Sequence, residues 1–235
     1  MKQLSRIAGC GVAASVLVAL ATSTVLAAPR LATGPDAEVT FDGLHRVEKT
    51  TMAMAWVKPT INLSGYTKMM VAGAGISYKT VEDADGHWWV GRSNQSEFPI
   101  SEEAKQRLQT EFTEAFLREI ERSDRYEIVT VPGPATLLLV GGLLDVVSNV
   151  PPVDECVGRC DVYLTEVGEA TLVLELRDSV TNEVLARAAD RRIAESAFPI
   201  EANRVTVWPE VRRLAQTWAR IIRRRLEEFD TVDDF

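Results

Sequence analysis

The chain reads as an α+β domain, a single mixed or mostly antiparallel sheet covered by two main amphipathic helices. Three observations predict this. "GEATLVLELRDS" and "VLARAADRRIA" alternate apolar and polar residues on either side of the short polar "VTNE", which spells an antiparallel hairpin. Two long segments, one beginning near Glu102 and one near Trp208, repeat apolar residues at helical spacing. Each helix carries one apolar stripe, so each suits a place on one side of a sheet.

The first element is an export signal. Lys2 and Arg6 precede an apolar run from Ile7 onward, and Val25-Leu26-Ala27 supplies compact residues at the cleavage positions. Pro29 opposes cutting after Ala28, which puts the cut after Ala27. Ile7-Ala8-Gly9-Cys10 has the letters of a lipid-attachment box, but its apolar segment follows the cysteine instead of preceding it. The alternative is an uncleaved membrane anchor, because the run is just long enough to span a bilayer. The expected organisation is thus a signal peptide over 1–27, a flexible leader over 28–43, one α+β domain over 44–229 and a frayed acidic tail over 230–235. No transmembrane span is expected after cleavage.

Within the domain, "LHRVEKTTMAMAWVKPTINLSGY" shows no strong pattern, and Pro59 argues against a helix through Lys58. Tyr66–Val81 reads as a strand in which Gly73 and Gly75 mark a bulge or a close neighbour. A turn at Asp85-Gly86 and a return through Trp88–Val90 should follow. Ser101 is placed to cap the first helix, with Glu102 and Glu103 at its positive end. "YEIVTV" is a short strand stopped by Pro132-Gly133-Pro134. "ATLLLVGGLLDVVSNVP" is a strand whose apolar first half suits a central place with cover on each face. The hairpin then puts Ala170, Leu172, Leu174 and Leu176 on one face, with mixed charges opposite. Pro209 fits the first turn of the last helix, which runs to Phe229.

Composition limits function. The chain has 26 basic and 34 acidic residues, a net charge of −8. Without the two signal-borne bases the balance is 24 against 34, or −10. Such acidity disfavours nucleic acid and anionic surfaces as general partners. Removal of Cys10 leaves Cys156 and Cys160, an even pair in an exported chain, read as a disulfide. Its small loop would stabilise by roughly 2 kcal/mol or less. Free thiols, a redox pair or half a metal site are the alternatives. The three-residue gap departs from the thioredoxin spacing, and zinc needs two further soft ligands.

Three blocks carry a resemblance. "VPGPATLLLVGGLLDVV", "GEATLVLELRDSVTNEVLARAADRR" and "WPEVRRLAQTWARIIRRRLEE" resemble the bacterial domain-of-unknown-function family thirty-three thirteen, whose members are lipoprotein-like envelope proteins. The resemblance runs from about Gly43 to Glu228, and "LSGYTKMMVAGAGI" fits the family's early strand. It implies a cell-envelope location and supplies no catalytic residues. The departure from a lipidated start points to a free periplasmic form.

The residues offer little chemistry. His45 lies in a patternless segment, and His87 sits in a turn without a Gly-x-Ser-x-Gly elbow anywhere in the chain. "DADG" opens like a calcium loop, but the twelfth position from Asp83 is Asn94 instead of Glu. "GAG" is followed by more strand, so it lacks the helix a dinucleotide needs. Glu169, Glu175 and Asp178 are matched by nearby arginines and read as a solvated face. No cofactor and no metal are expected. Trp88, Trp89, Arg212, Arg213 and Arg220 form the candidate partner surface, the arginines also suiting peripheral membrane contact. The expected function is a non-catalytic periplasmic domain that binds another envelope component. An exported hydrolase with dispersed site residues, or a small-ligand or metal carrier, is the alternative.

Overall fold

The computed structural model describes residues 29–34, 37–81, 97–151, 163–202 and 206–231. In chain order the elements are β1 (Arg30–Leu31), β2 (His45–Glu48), β3 (Met54–Val57), β4 (Lys68–Tyr78), α1 (Glu102–Ile120), β5 (Glu127–Ile128), β6 (Thr136–Ser148), β7 (Tyr163–Asp178), β8 (Val184–Glu201) and α2 (Trp208–Glu228). The strands form one mixed sheet in the order β1-β2-β3-β8-β7-β6-β4-β5. This is an α+β fold.

Sequence order explains the mixture. β6, β7 and β8 follow one another antiparallel, and the β7–β8 turn is fastened by Asp178, whose carboxylate accepts the Val180 and Thr181 amides at 2.9 and 2.7 Å. Asn182 takes the left-handed conformation there, at φ 60°. β4 instead runs parallel to both β5 and β6. Parallel neighbours need a long crossover, and α1 supplies it. Ser101 caps that helix, accepting the Ala104 amide at 3.3 Å.

The register decides what faces the core. Leu172, Leu174 and Leu176 of β7 lie opposite Asp190, Ala188 and Ala186 of β8. Large side chains on one strand beside small ones on the next leave room for α2, whose Trp218 is fully buried. Phe112 of α1 meets the Trp218 ring at 5.8 Å, tilted by 48°. Buried side chains from both helices and from β6, β7 and β8 join one cluster. On the opposite sheet face, Glu175 and Arg187 stand directly across from each other and bond at 2.9 Å.

Asp190 is the exception in the core. It is 5% exposed. Its Oδ1 accepts the Ala53 amide at 2.9 Å, and its Oδ2 accepts the Trp218 indole N–H at 2.8 Å and the Arg192 guanidinium at 2.5 Å. A buried carboxylate is tolerated because every one of these donors faces it. The alternating pattern of β8 suggests charges on the open face only; Asp190 instead points inward.

Several expectations change. The segment with no strong pattern contains β2 and β3, each four residues long. In β2 only Val47 is buried, so alternation is too short to register. Part of the expected leader is tied down, since Arg30 and Leu31 pair with β2 and Asp42 bonds Arg187 at 2.9 Å. The start of the tail expected to fray is also held. Asp230 accepts the Leu63 amide at 2.7 Å, and Thr231 forms a bridge with Asn62. Arg125 fastens the same corner by donating to the Leu63 and Leu226 carbonyls at 2.7 and 3.1 Å. Leu138 and Val140 of β6 are half-buried and Leu144 is exposed, so the expected cover on both faces is incomplete. The turn expected at Asp85-Gly86 lies outside the described residues.

Asp190→Ala should destabilise the fold strongly, because the buried Trp218 indole and the part-buried Ala53 amide lose their acceptor at roughly 1–3 kcal/mol each. Urea unfolding should show a loss of about 2–5 kcal/mol. A loss below about 1 kcal/mol would contradict this role for Asp190.

Candidate functional site

The ends of several elements converge beside the first turns of the two helices. Ala104, Leu108 and Phe112 come from α1, and Trp208, Val211 and Leu214 from α2. Val146, Val147, Val167, Ala170 and Ala194 close the floor from β6, β7 and β8. Between them lies an open-mouthed cavity of about 250 Å³. The floor is tight at Gly168, where a Cβ would come within 2.4 Å of the Val147 carbonyl oxygen. Glycine is required there by the close approach of β6.

Few polar groups reach this cavity. The Ser148 hydroxyl accepts the Val150 amide at 3.1 Å, and the Glu169 carboxylate is bound by Arg191. Arg107 stacks over Trp208 at 4.4 Å. Glu111 and Arg212 close the outside of the helix pair through two bonds of 2.7 and 2.6 Å. A second cavity of about 220 Å³ lies toward the other end of α2, among Met52, Val57, Leu139, Leu176, Leu226 and Phe229. Both cavities suit desolvation of an apolar group better than proton transfer.

The electrostatics point the same way. Hydrogen bonding from Arg212 holds Glu111 below the ordinary glutamate range, outweighing its burial. Burial pushes Glu175 up, but Arg177 and Arg187 together pull it below that range. Asp42 is lowered first by its bond from Thr40, and Asp178 first by the Thr181 amide. All four stay ionised at neutral pH, whereas a general acid needs a raised carboxylate. Tyr66 is pushed up to about 12 by burial and by donating to Asp178 at 2.8 Å.

Of the residues nominated from sequence, His45, Arg212, Arg213 and Arg220 fall among the described residues. Trp88, Trp89, His87, Cys156 and Cys160 lie outside the described residues. His45 sits half-buried in β2 opposite Val57 and lines none of these cavities. Arg212 is held by Glu111, and Arg213 donates to Glu210 at 2.5 Å. Arg220 is exposed on α2. Among the described residues, no group of three or more His, Cys, Asp or Glu side chains could hold a metal ion. No described helix is long and apolar enough to cross a membrane. Sequence reasoning missed the cavity residues because they come from five separate elements, each contributing apolar positions that look like ordinary core. Gly168 was the available signal, a glycine inside a clean alternation.

The family described as Protein of unknown function (DUF3313) matches residues 37–222. The chain belongs to this family. No curated protein matches it. Among solved structures, the DUF3313 chain is similar to a PelC dodecamer from Paraburkholderia phytofirmans, at 9% identity and a TM-score of 0.33, covering 71% of this chain and 96% of that one. It is also similar to protein XCC0632 from Xanthomonas campestris, at 13% identity and a TM-score of 0.37, covering 71% and 89%. Likenesses this distant carry no weight about what the chain binds.

The Glu111–Arg212 pair gives a pH test. A carboxylate held low stabilises the fold fully above its ordinary range near 4.3 and loses that contribution as pH falls through its lower folded value. Arg212→Gln should therefore lower the urea midpoint at pH 7, and the deficit should narrow below about pH 4. A deficit independent of pH would assign the effect to lost packing.

Proposed function

We propose that the chain is an exported, non-catalytic cell-envelope domain that binds another envelope component from the periplasm. One observation carries this reading: the larger of the two cavities is apolar, while the nearby carboxylates Glu111 and Glu169 are locked to Arg212 and Arg191. Such a site offers contact area and no poised acid or base. The basic, apolar and small-residue order of the N-terminal segment supports export, and the family match is compatible with an envelope address. A cleaved signal over 1–27 and a Cys156–Cys160 disulfide belong to the same proposal.

Crosslinking in cells followed by capture from envelope fractions should recover one specific partner, and the mature chain should begin at Ala28. Recovery of the protein alone after crosslinking would overturn the binding role. A mature chain retaining residues 1–27, or acylated at Cys10, would overturn the free periplasmic form.

A second reading has its own support. The two apolar cavities, about 250 and 220 Å³, could each enclose a small apolar molecule. Native mass spectrometry of the purified chain should then show a bound mass released by organic solvent; a clean apo mass would remove this carrier role.

A further inference from the structure

The cavity under the C-terminal half of α2 deepens the carrier role and rests on it. Its floor is made of small residues. Ala55 of β3 stands across from Ala188 of β8, and Ala186 shares that face, beneath Ile222 and Leu226 of α2. A core gap lined by apolar side chains costs stability in proportion to its volume. A larger apolar residue at any of the three alanines would shrink it. A gap of about 220 Å³ here is therefore a local conflict with close packing. Such conflicts concentrate at functional positions. Every lining residue except Pro29 has both chain neighbours among the described residues, and cleavage after Ala27 leaves only Ala28 ahead of Pro29.

The charges at the lining narrow the occupant. In the first cavity the charged lining residue, Glu169, is bound by Arg191. In the second, Arg187 is committed to Glu175 and Asp42. Arg225 is held more loosely. It donates to Glu228 at 3.3 Å, and the two side chains are 42% and 62% exposed. Exposed pairs of this kind contribute little. Arg225 lies three residues after Ile222 and four before Phe229, on the helix face that lines the cavity. Its long apolar stem lets the guanidinium sit at the rim. Apolar walls with an available cation at the mouth match an apolar tail that ends in an anion. A carboxylate can bind that guanidinium in place of Glu228. A methylene takes about the volume of a water molecule, roughly 30 Å³, so the space accepts roughly seven carbons beyond the carboxylate.

We propose that this cavity binds a straight-chain carboxylate of about eight carbons, with the chain under α2 and the carboxylate on Arg225. The apolar walls supply affinity, and the guanidinium fixes which end of the molecule faces out.

The test follows the methionine ε-methyl NMR signals of the full mature chain during titration with straight-chain carboxylates. Met52 is buried and lines the cavity, whereas Met69 is also buried and does not. Octanoate should shift Met52 saturably and leave Met69 unmoved. Each added methylene should tighten binding about fourfold up to roughly eight carbons, where the gain stops. Ala188→Leu fills the space and should weaken octanoate at least tenfold. Arg225→Gln, at the rim, should weaken octanoate at least threefold and leave octanol binding unchanged. An unmoved Met52 overturns the proposal, whatever fills the space instead. So does octanoate binding that Arg225→Gln leaves unchanged, or an affinity that keeps rising through dodecanoate. Tighter binding of octylammonium than of octanoate would assign the rim to Glu228 and overturn the carboxylate end. A bound mass in native spectra without octanoate binding leaves the carrier role standing and removes this site, so the two failures are separable.

Discussion

The packing of α2 onto the sheet depends on one buried carboxylate. Asp190 binds a loop amide, a helix indole and a neighbouring guanidinium, at Ala53, Trp218 and Arg192. It therefore joins the β2–β3 loop, β8 and α2 at a single point. Hydrophobic contact is non-directional and would accept α2 at several rotations and offsets. The indole N–H has one direction, and meeting the carboxylate fixes both. The alanines at 186 and 188 then set how near the helix can come, and Phe112 fixes where α1 lies against it.

How far this was legible depends on pattern length. α1, β6, the β7–β8 hairpin and α2 each extend over ten residues or more, so periodicity declared them. β2 and β3 hold four residues each, below the length at which alternation is distinguishable from chance. Asp190 is invisible for a different reason. Its neighbours Arg187, Arg191 and Arg192 make β8 look like a charged outer strand, and only the register against Leu172 turns it inward. Burial of an acid needs donors from elsewhere in the chain, and Ala53 and Trp218 are 137 and 28 residues away.

The candidate site was less legible still. Catalytic groups declare themselves by residue type, but an apolar cavity is made of the same residues as a core. What separates them is a gap, and a gap is a property of three-dimensional packing. The arginines of α2 are a second case where pairing is invisible in the sequence. As a sequence they form a basic face, yet Arg212 and Arg223 bond Glu111 and Glu119 across the helix pair. Two of these arginines therefore serve charge matching between α1 and α2.

Both ends of the sheet step abruptly from a long strand to a short one among the described residues. Toward β1, the four-residue β3 pairs with only Ala186–Ala189 of the 18-residue β8, and β2 and β1 then step down to two residues. Toward β5 the step is abrupt, because an eleven-residue strand meets a two-residue neighbour. An acidic chain could have protected that edge with a charge, as edge strands commonly do. The sequence instead places Val71, Ala72, Gly73 and Ala74 there, beside a helix that offers Phe112 and Phe116. Among the described residues, what covers this stretch is α1 packed over the sheet face, with Phe112 and Phe116 reaching across β4 to Leu139 and Leu143 of β6.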